Sequence, residues 1–175
     1  MFRPLLLAAS ASLALAACAT DADVPAETAA ATGDMTPTQR GPYVEMAAAS
    51  DLYEIQSGQL AQSRAQNAAV RDFGRMLVEH HTGTTQQLAA AATAAGTPPT
   101  PDLMPMQAQM MSELQGASGA EFDRVFLRQQ VQAHQMALAL HRNYADNGDT
   151  PALRAVASAA VPIIQQHLDR ARQLD

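Results

Sequence analysis

Beyond residue 40 apolar side chains recur at three- and four-residue spacing, and no run alternates apolar with polar positions, so the pattern predicts helices and no sheet. A first helix is expected from Pro42 to Ser63, and a second, capped by Asn67, from Ala68 to Ala95. Gly96 with Pro98, Pro99 and Pro101 stops the second, because glycine suits the position after a last turn and proline cannot continue one. Ser118-Gly119-Ala120-Glu121 has the spacing of a capping box and opens a third long helix that runs to Asn147-Gly148. Thr150-Pro151 then restarts the chain as cap and first-turn proline of a fourth, to Leu174. Pro162 falls inside this helix on its solvent side, where water can satisfy the freed carbonyl. The long connection from Gly96 to Ala117 has room for a short helix over Gln107 to Leu114. Long helices joined mostly by short turns predict an all-α fold, an antiparallel four-helix bundle with one long connection.

The faces of these helices carry the informative residues. At about 100° per residue, the third helix gathers Phe122, Val125, Phe126, Ala133, Ala137, Leu140 and Tyr144 on one side and Arg124, Arg128, Gln132, Gln135 and Arg142 on the other. A polar stripe of Asp123, Gln130, His134 and His141 runs inside the apolar arc. On the fourth helix His167 lies amid Val156, Ala160, Ile163, Ile164, Ala171 and Leu174. The second sets His80 and His81 on the shoulders of a face made by Val70, Phe73, Leu77, Thr84, Leu88 and Ala91. The first places Glu54 in a row of small residues, Ala47, Ser50, Ser57 and Ala61, that lets a neighbouring backbone come close.

Glu54, His81, His134 and His167 each fall near the middle of their helix, and in an antiparallel bundle such positions meet at one level. Two readings follow. The four side chains hold a transition metal such as zinc, copper or iron, with Asp123, Gln130, His80 and His141 around them as supporting groups, or they form a hydrogen-bonded layer that fixes helix register. A di-iron carboxylate centre is not expected, because it needs Glu-x-x-His pairs and the chain has none. Met104, Met106, Met110 and Met111 offer thioethers to copper(I), or fill gaps beneath the long connection. No serine or cysteine nucleophile has a recognisable setting and no glycine-rich phosphate loop occurs, so no classical enzyme is indicated.

Composition changes the picture mainly at the N-terminus. Arg3, the apolar stretch Leu5 to Ala17 and the small residues before Cys18 form an export signal too short to stay as a membrane span. Leu15-Ala16-Ala17-Cys18 resembles a lipobox, which makes Cys18 the lipidated first residue of the mature protein. It is the sole cysteine, so an internal disulfide is excluded. Ala19 is not the aspartate of an inner-membrane retention signal, which favours an outer-membrane anchor facing the periplasm. The expected organisation is a signal peptide over 1–17, Cys18 and a flexible tether over 18–40, and a helical domain over 41–175. With 11 basic and 17 acidic residues, a net charge of -6 and no lysine, the chain lacks the cations a nucleic-acid partner requires. Nothing in it specifies a protein partner or an oligomeric state.

Five ordered segments carry a resemblance: Ala48 to Ile55, Phe73 to Thr82, Ser118 to Phe126, Gln130 to Gln135 and Val161 to Leu168. They resemble the landmarks of DUF4142, a bacterial family of exported, ferritin-like four-helix proteins often described as outer-membrane proteins. The resemblance covers the whole region after the tether, implies a ferritin-like fold, and marks Glu54, His81, Asp123, His134 and His167 as the matching positions. It implies no established reaction. The resulting expectation is a lipid-anchored envelope protein with a binding or stress-accessory role, against a metal-dependent oxidoreductase or a purely structural envelope module.

Overall fold

Punctuation residues set where each helix starts and stops. In the computed structural model, which describes residues 36–100 and 102–175, five helices follow one another: α1 (Arg40–Arg64), α2 (Ala68–Ala94), α3 (Pro105–Gly116), α4 (Gly119–Asn147) and α5 (Pro151–Leu174). No strand occurs among the described residues. Asn67 caps α2 by accepting from the Ala69 N–H at 2.9 Å. Gly96, at φ +76°, ends α2: its N–H reaches the Thr93 carbonyl and the Thr97 N–H reaches that of Ala92, which closes the last turn.

Two expected caps take another form. Ser118 makes no side-chain cap bond, because Gly119 enters α4 at φ +60° rather than in the helical conformation a capping box needs, and Glu121 pairs instead with Arg124. The Thr150 hydroxyl donates to Asp149 and accepts no N–H from the first turn of α5. Residues 36–39, assigned to the tether by sequence, run against the turn between α4 and α5. There the Thr36 carbonyl accepts from Asn143 Nδ2 at 3.1 Å and the Thr38 carbonyl from the Asp149 N–H at 3.0 Å. The expected signal peptide, Cys18 and the rest of the expected tether lie outside the described residues.

The four long helices pack in a ring, α1 on α2, α2 on α5, α5 on α4 and α4 on α1, while α3 lies across α1 and α4. Contacts between α1 and α4 run in opposite order along the two helices: Tyr43 meets His141, Ser57 meets Gln130 and Arg64 lies over the Phe122 ring. The close approach of α2 to α1 involves Ala61 of the small-residue row and Gly58, a residue outside that row. At Gly58 and Gly74, α1 and α2 come so close that a Cβ added to either glycine would sit 2.7 Å from the other's carbonyl oxygen.

The two largest apolar clusters lie one around Phe73, Leu77, Leu114, Phe122 and Phe126, the other around Tyr43, Val44, Leu88, Tyr144 and Leu153, with smaller ones around Leu138, Ile164 and Leu168 and around Tyr53, Met110 and Met111. Each fully buried large side chain of this kind contributes about 1.5–3 kcal/mol. Between the two largest clusters lies a polar layer. Pro162 is exposed, as its direction on the helix predicts. No described helix is long and apolar enough to cross a membrane.

Candidate metal centre

Three imidazoles meet in the polar layer. His81 of α2, His134 of α4 and His167 of α5 are at most 3% exposed, and one ligating nitrogen from each lies within 4.8 Å of the other two. Their ring centroids are 5.1 Å (His81 to His167), 5.3 Å (His134 to His167) and 5.7 Å (His81 to His134) apart.

Each ring has one nitrogen committed to the protein. His81 Nδ1 lies 2.8 Å from Asp51 Oδ1, and Asp51 Oδ2 accepts from the hydroxyls of Thr84 and Thr85 at 3.0 and 3.2 Å. His134 Nδ1 lies 2.9 Å from the Gln130 carbonyl, which can only accept, so Nδ1 carries the proton and Nε2 the lone pair. His167 Nε2 lies 2.8 Å from Nδ1 of half-buried His80, whose ring stacks on it. The nitrogens left over, His81 Nε2, His134 Nε2 and His167 Nδ1, are buried and have no hydrogen-bond partner. Glu54 Oε2 is in the same condition, and Glu54 Oε1 stands 3.7 Å from His134 Nδ1, beyond hydrogen-bond reach.

Leaving a buried polar atom unsatisfied costs about 1–3 kcal/mol. Gln130 Oε1 joins these four as an unpartnered buried atom of the layer, and the three imidazoles form a ligand set for a borderline transition ion, with the Glu54 carboxyl beside His134. Metal–nitrogen bonds are about 2.0–2.1 Å long, so closing on one ion takes ångström-scale ring rotation.

The electrostatics suit that role. Burial holds His134 down to about 3, assisted by the neighbouring charge of His81. Burial likewise holds His167 down to about 2, so both rings keep a lone pair. Burial also depresses His81, but its bond to Asp51 and the charges of Asp51 and Glu54 outweigh that and raise it. Burial pushes the Glu54 carboxyl up to about 7. A cation entering the layer would meet two neutral imidazoles, a third backed by a carboxylate, and an acid that ionises readily beside positive charge.

The structure thus brings Glu54, His81, His134 and His167 into one layer, with Gln130 and His80 hydrogen-bonded to two of the rings. Two residues expected beside them stand elsewhere. Asp123 accepts from the Gln66 and Asn67 N–H groups at 3.0 and 2.8 Å, bracing the α1–α2 turn. It shares a face with His134 but is eleven residues away, about 16 Å along the axis. His141 places Nδ1 3.1 Å from the Tyr43 hydroxyl, in the neighbouring apolar cluster. Sequence reasoning missed Asp51, although it precedes Glu54 by one helical turn and shares its face.

The sequence profile of DUF4142, a domain of unknown function, matches residues 24–174. The chain belongs to the DUF4142 family. No curated protein matches this DUF4142 chain in sequence. Among solved structures it is similar to CopM in the Cu(II)-bound form, with a TM-score of 0.67 and 19% identity over 79% of this chain and 96% of that one. It is also similar to the Ag-bound form, with a TM-score of 0.63 and 19% identity over 77% and 93% of the two chains. The Cu(I)-bound form gives a TM-score of 0.63 and 18% identity over 77% and 94%. At that identity the likeness is one of fold, and it places this DUF4142 domain among all-helical proteins.

Proposed function

We propose that this protein is a lipid-anchored, periplasm-facing, ferritin-like antiparallel four-helix bundle that binds one transition-metal ion through His81, His134 and His167, with Glu54 as the fourth donor. One observation carries the reading: three buried imidazoles converge, each with one nitrogen committed and the other unpartnered. Copper(II) is the preferred ion, because nitrogen sites bind it more tightly than other first-row divalent ions, zinc included. The fold is shared with CopM, which has been solved with copper and silver bound. The role is binding rather than turnover, an accessory of the cell envelope.

Calorimetric titration of the metal-free full chain with Cu(II) is expected to give one tight equivalent, and the melting temperature should rise with metal, since binding favours the folded state. His134→Gln is expected to abolish both effects while retaining the helical spectrum. A wild-type melting temperature indifferent to Cu(II) and Zn(II) would leave the layer as a polar clasp and end the metal reading. The anchor has its own test. Cys18→Ser is expected to move the protein from the membrane fraction to the soluble periplasm, and unchanged membrane retention would remove the lipidation proposal.

A further inference from the structure

Away from the imidazoles, five of the seven methionines among the described residues line a single groove of about 510 Å³: Met46 of α1, Met104 and Met106 at the start of α3, Met110 within it, and Met136 of α4. Methionine in a core is ordinarily a gap filler and lies inside. Here Met104, Met106 and Met136 are 39%, 40% and 36% exposed, and they are the exposed large hydrophobic side chains of the described residues. Leucine or isoleucine would pack as well, yet every position of this kind holds a thioether. Gln107, 8% exposed, also lines the groove, and its buried Oε1 has no hydrogen-bond partner. An uncommitted amide oxygen in such a wall is an acceptor open to a cation or to water.

We infer that this groove is a second metal site, for a soft monovalent ion, cuprous copper or silver(I), held by thioether sulfurs and separate from the imidazole centre. Thioethers are soft, neutral donors that select Cu(I) over harder divalent ions. They have no proton to lose, so the site keeps its ligands at a pH that protonates imidazole. The described residues contain no cysteine, which leaves methionine as their sulfur ligand. The net charge of -6 favours the approach of any cation. The groove site stands independently of the imidazole reading, because none of its lining residues belongs to the histidine cluster.

Silver nitrate is a suitable probe, since Ag(I) shares the softness of Cu(I) and does not change oxidation state in air. In full chain labelled at the methionine methyl carbons, Ag(I) is expected to shift the groove methyl signals, those of Met104, Met106 and Met136 most, and to leave Met76 and Met111 in place. Replacing Met104, Met106 and Met136 together by leucine, which nearly conserves volume, is expected to remove one Ag(I) equivalent while the Cu(II) equivalent remains. In His134→Gln the Cu(II) equivalent should be lost and the silver-dependent methyl shifts kept. Groove methyls that ignore silver, or a leucine variant with undiminished silver stoichiometry, would overturn the groove site and leave the imidazole centre standing.

Discussion

Asp51 accepts from His81 Nδ1 and from the Thr84 and Thr85 hydroxyls, so one carboxylate fixes the ring orientation of His81 and leaves Nε2 free. A carboxylate behind a ligating imidazole raises its basicity, and loss of such a partner typically costs 10–100-fold in metal affinity. Asp51→Asn is expected to weaken Cu(II) binding by that factor and to destabilise the metal-free protein by about 1–3 kcal/mol. Calorimetry and denaturant unfolding check the two parts. The burial of Glu54, His81, His134 and His167 was legible in the sequence because each falls near mid-helix on an inward side: His134 and His167 within apolar arcs, His81 on the shoulder of one, and Glu54 in a row of small residues. Asp51 was not, since its pairing depends on how α1 is set against α2, which the pattern on α1 alone does not encode. Asp123 misled for the converse reason: helical periodicity gives the angle around an axis, while its partners depend on height along it.

Height along the axis is set by the α1–α2 contact at Gly58 and Gly74. In an open helix, replacing glycine by alanine gains up to about 1 kcal/mol. At Gly74 the new methyl would lie 2.7 Å from the Gly58 carbonyl oxygen and 2.8 Å from Ala61 Cβ. Gly74→Ala is therefore expected to destabilise by about 1–3 kcal/mol, the usual cost of overpacking, and to weaken metal binding by shifting His81 of α2 against Glu54 of α1. Gly83→Ala, at a glycine with open space around it, should be neutral or stabilising in the same denaturation assay. Helix existence and ends were legible to within about two residues, because Asn67, Gly96 and Pro151 act through local geometry. The glycine contact was only half legible: the small-residue row on α1 that includes Ala61 could be read, but not Gly58 outside it or which residue of α2 would be met.

Across the whole molecule, a polar layer sandwiched between two apolar clusters makes stability depend on protonation. Burial holds the imidazoles of His134, His141 and His167 at about 3, 4 and 2, below their ordinary 6.5. Below that ordinary value the unfolded chain takes up protons that the folded protein refuses, so the stability these three contribute is complete above it and is lost as pH falls toward their folded values. Glu54 and His81 act in the opposite sense. Burial raises Glu54 from 4.5 to about 7, so its contribution is lost as pH rises through that interval. His81, raised overall despite burial, loses its contribution only as pH climbs through its folded value. From about pH 4.5 to 6.5 three imidazoles outweigh one carboxyl, and the denaturant midpoint of the metal-free protein is expected to rise with pH. A flat or falling midpoint would contradict the buried, neutral state of these rings.

The imidazole centre is tested most directly by counting its nitrogens. Pulsed electron paramagnetic resonance on the full chain carrying one Cu(II), with histidine labelled by nitrogen-15, is expected to resolve three coordinated imidazoles, falling to two in His167→Phe. A copper spectrum without histidine nitrogen, or one unaltered when His81, His134 and His167 are replaced, would contradict a metal centre in the polar layer.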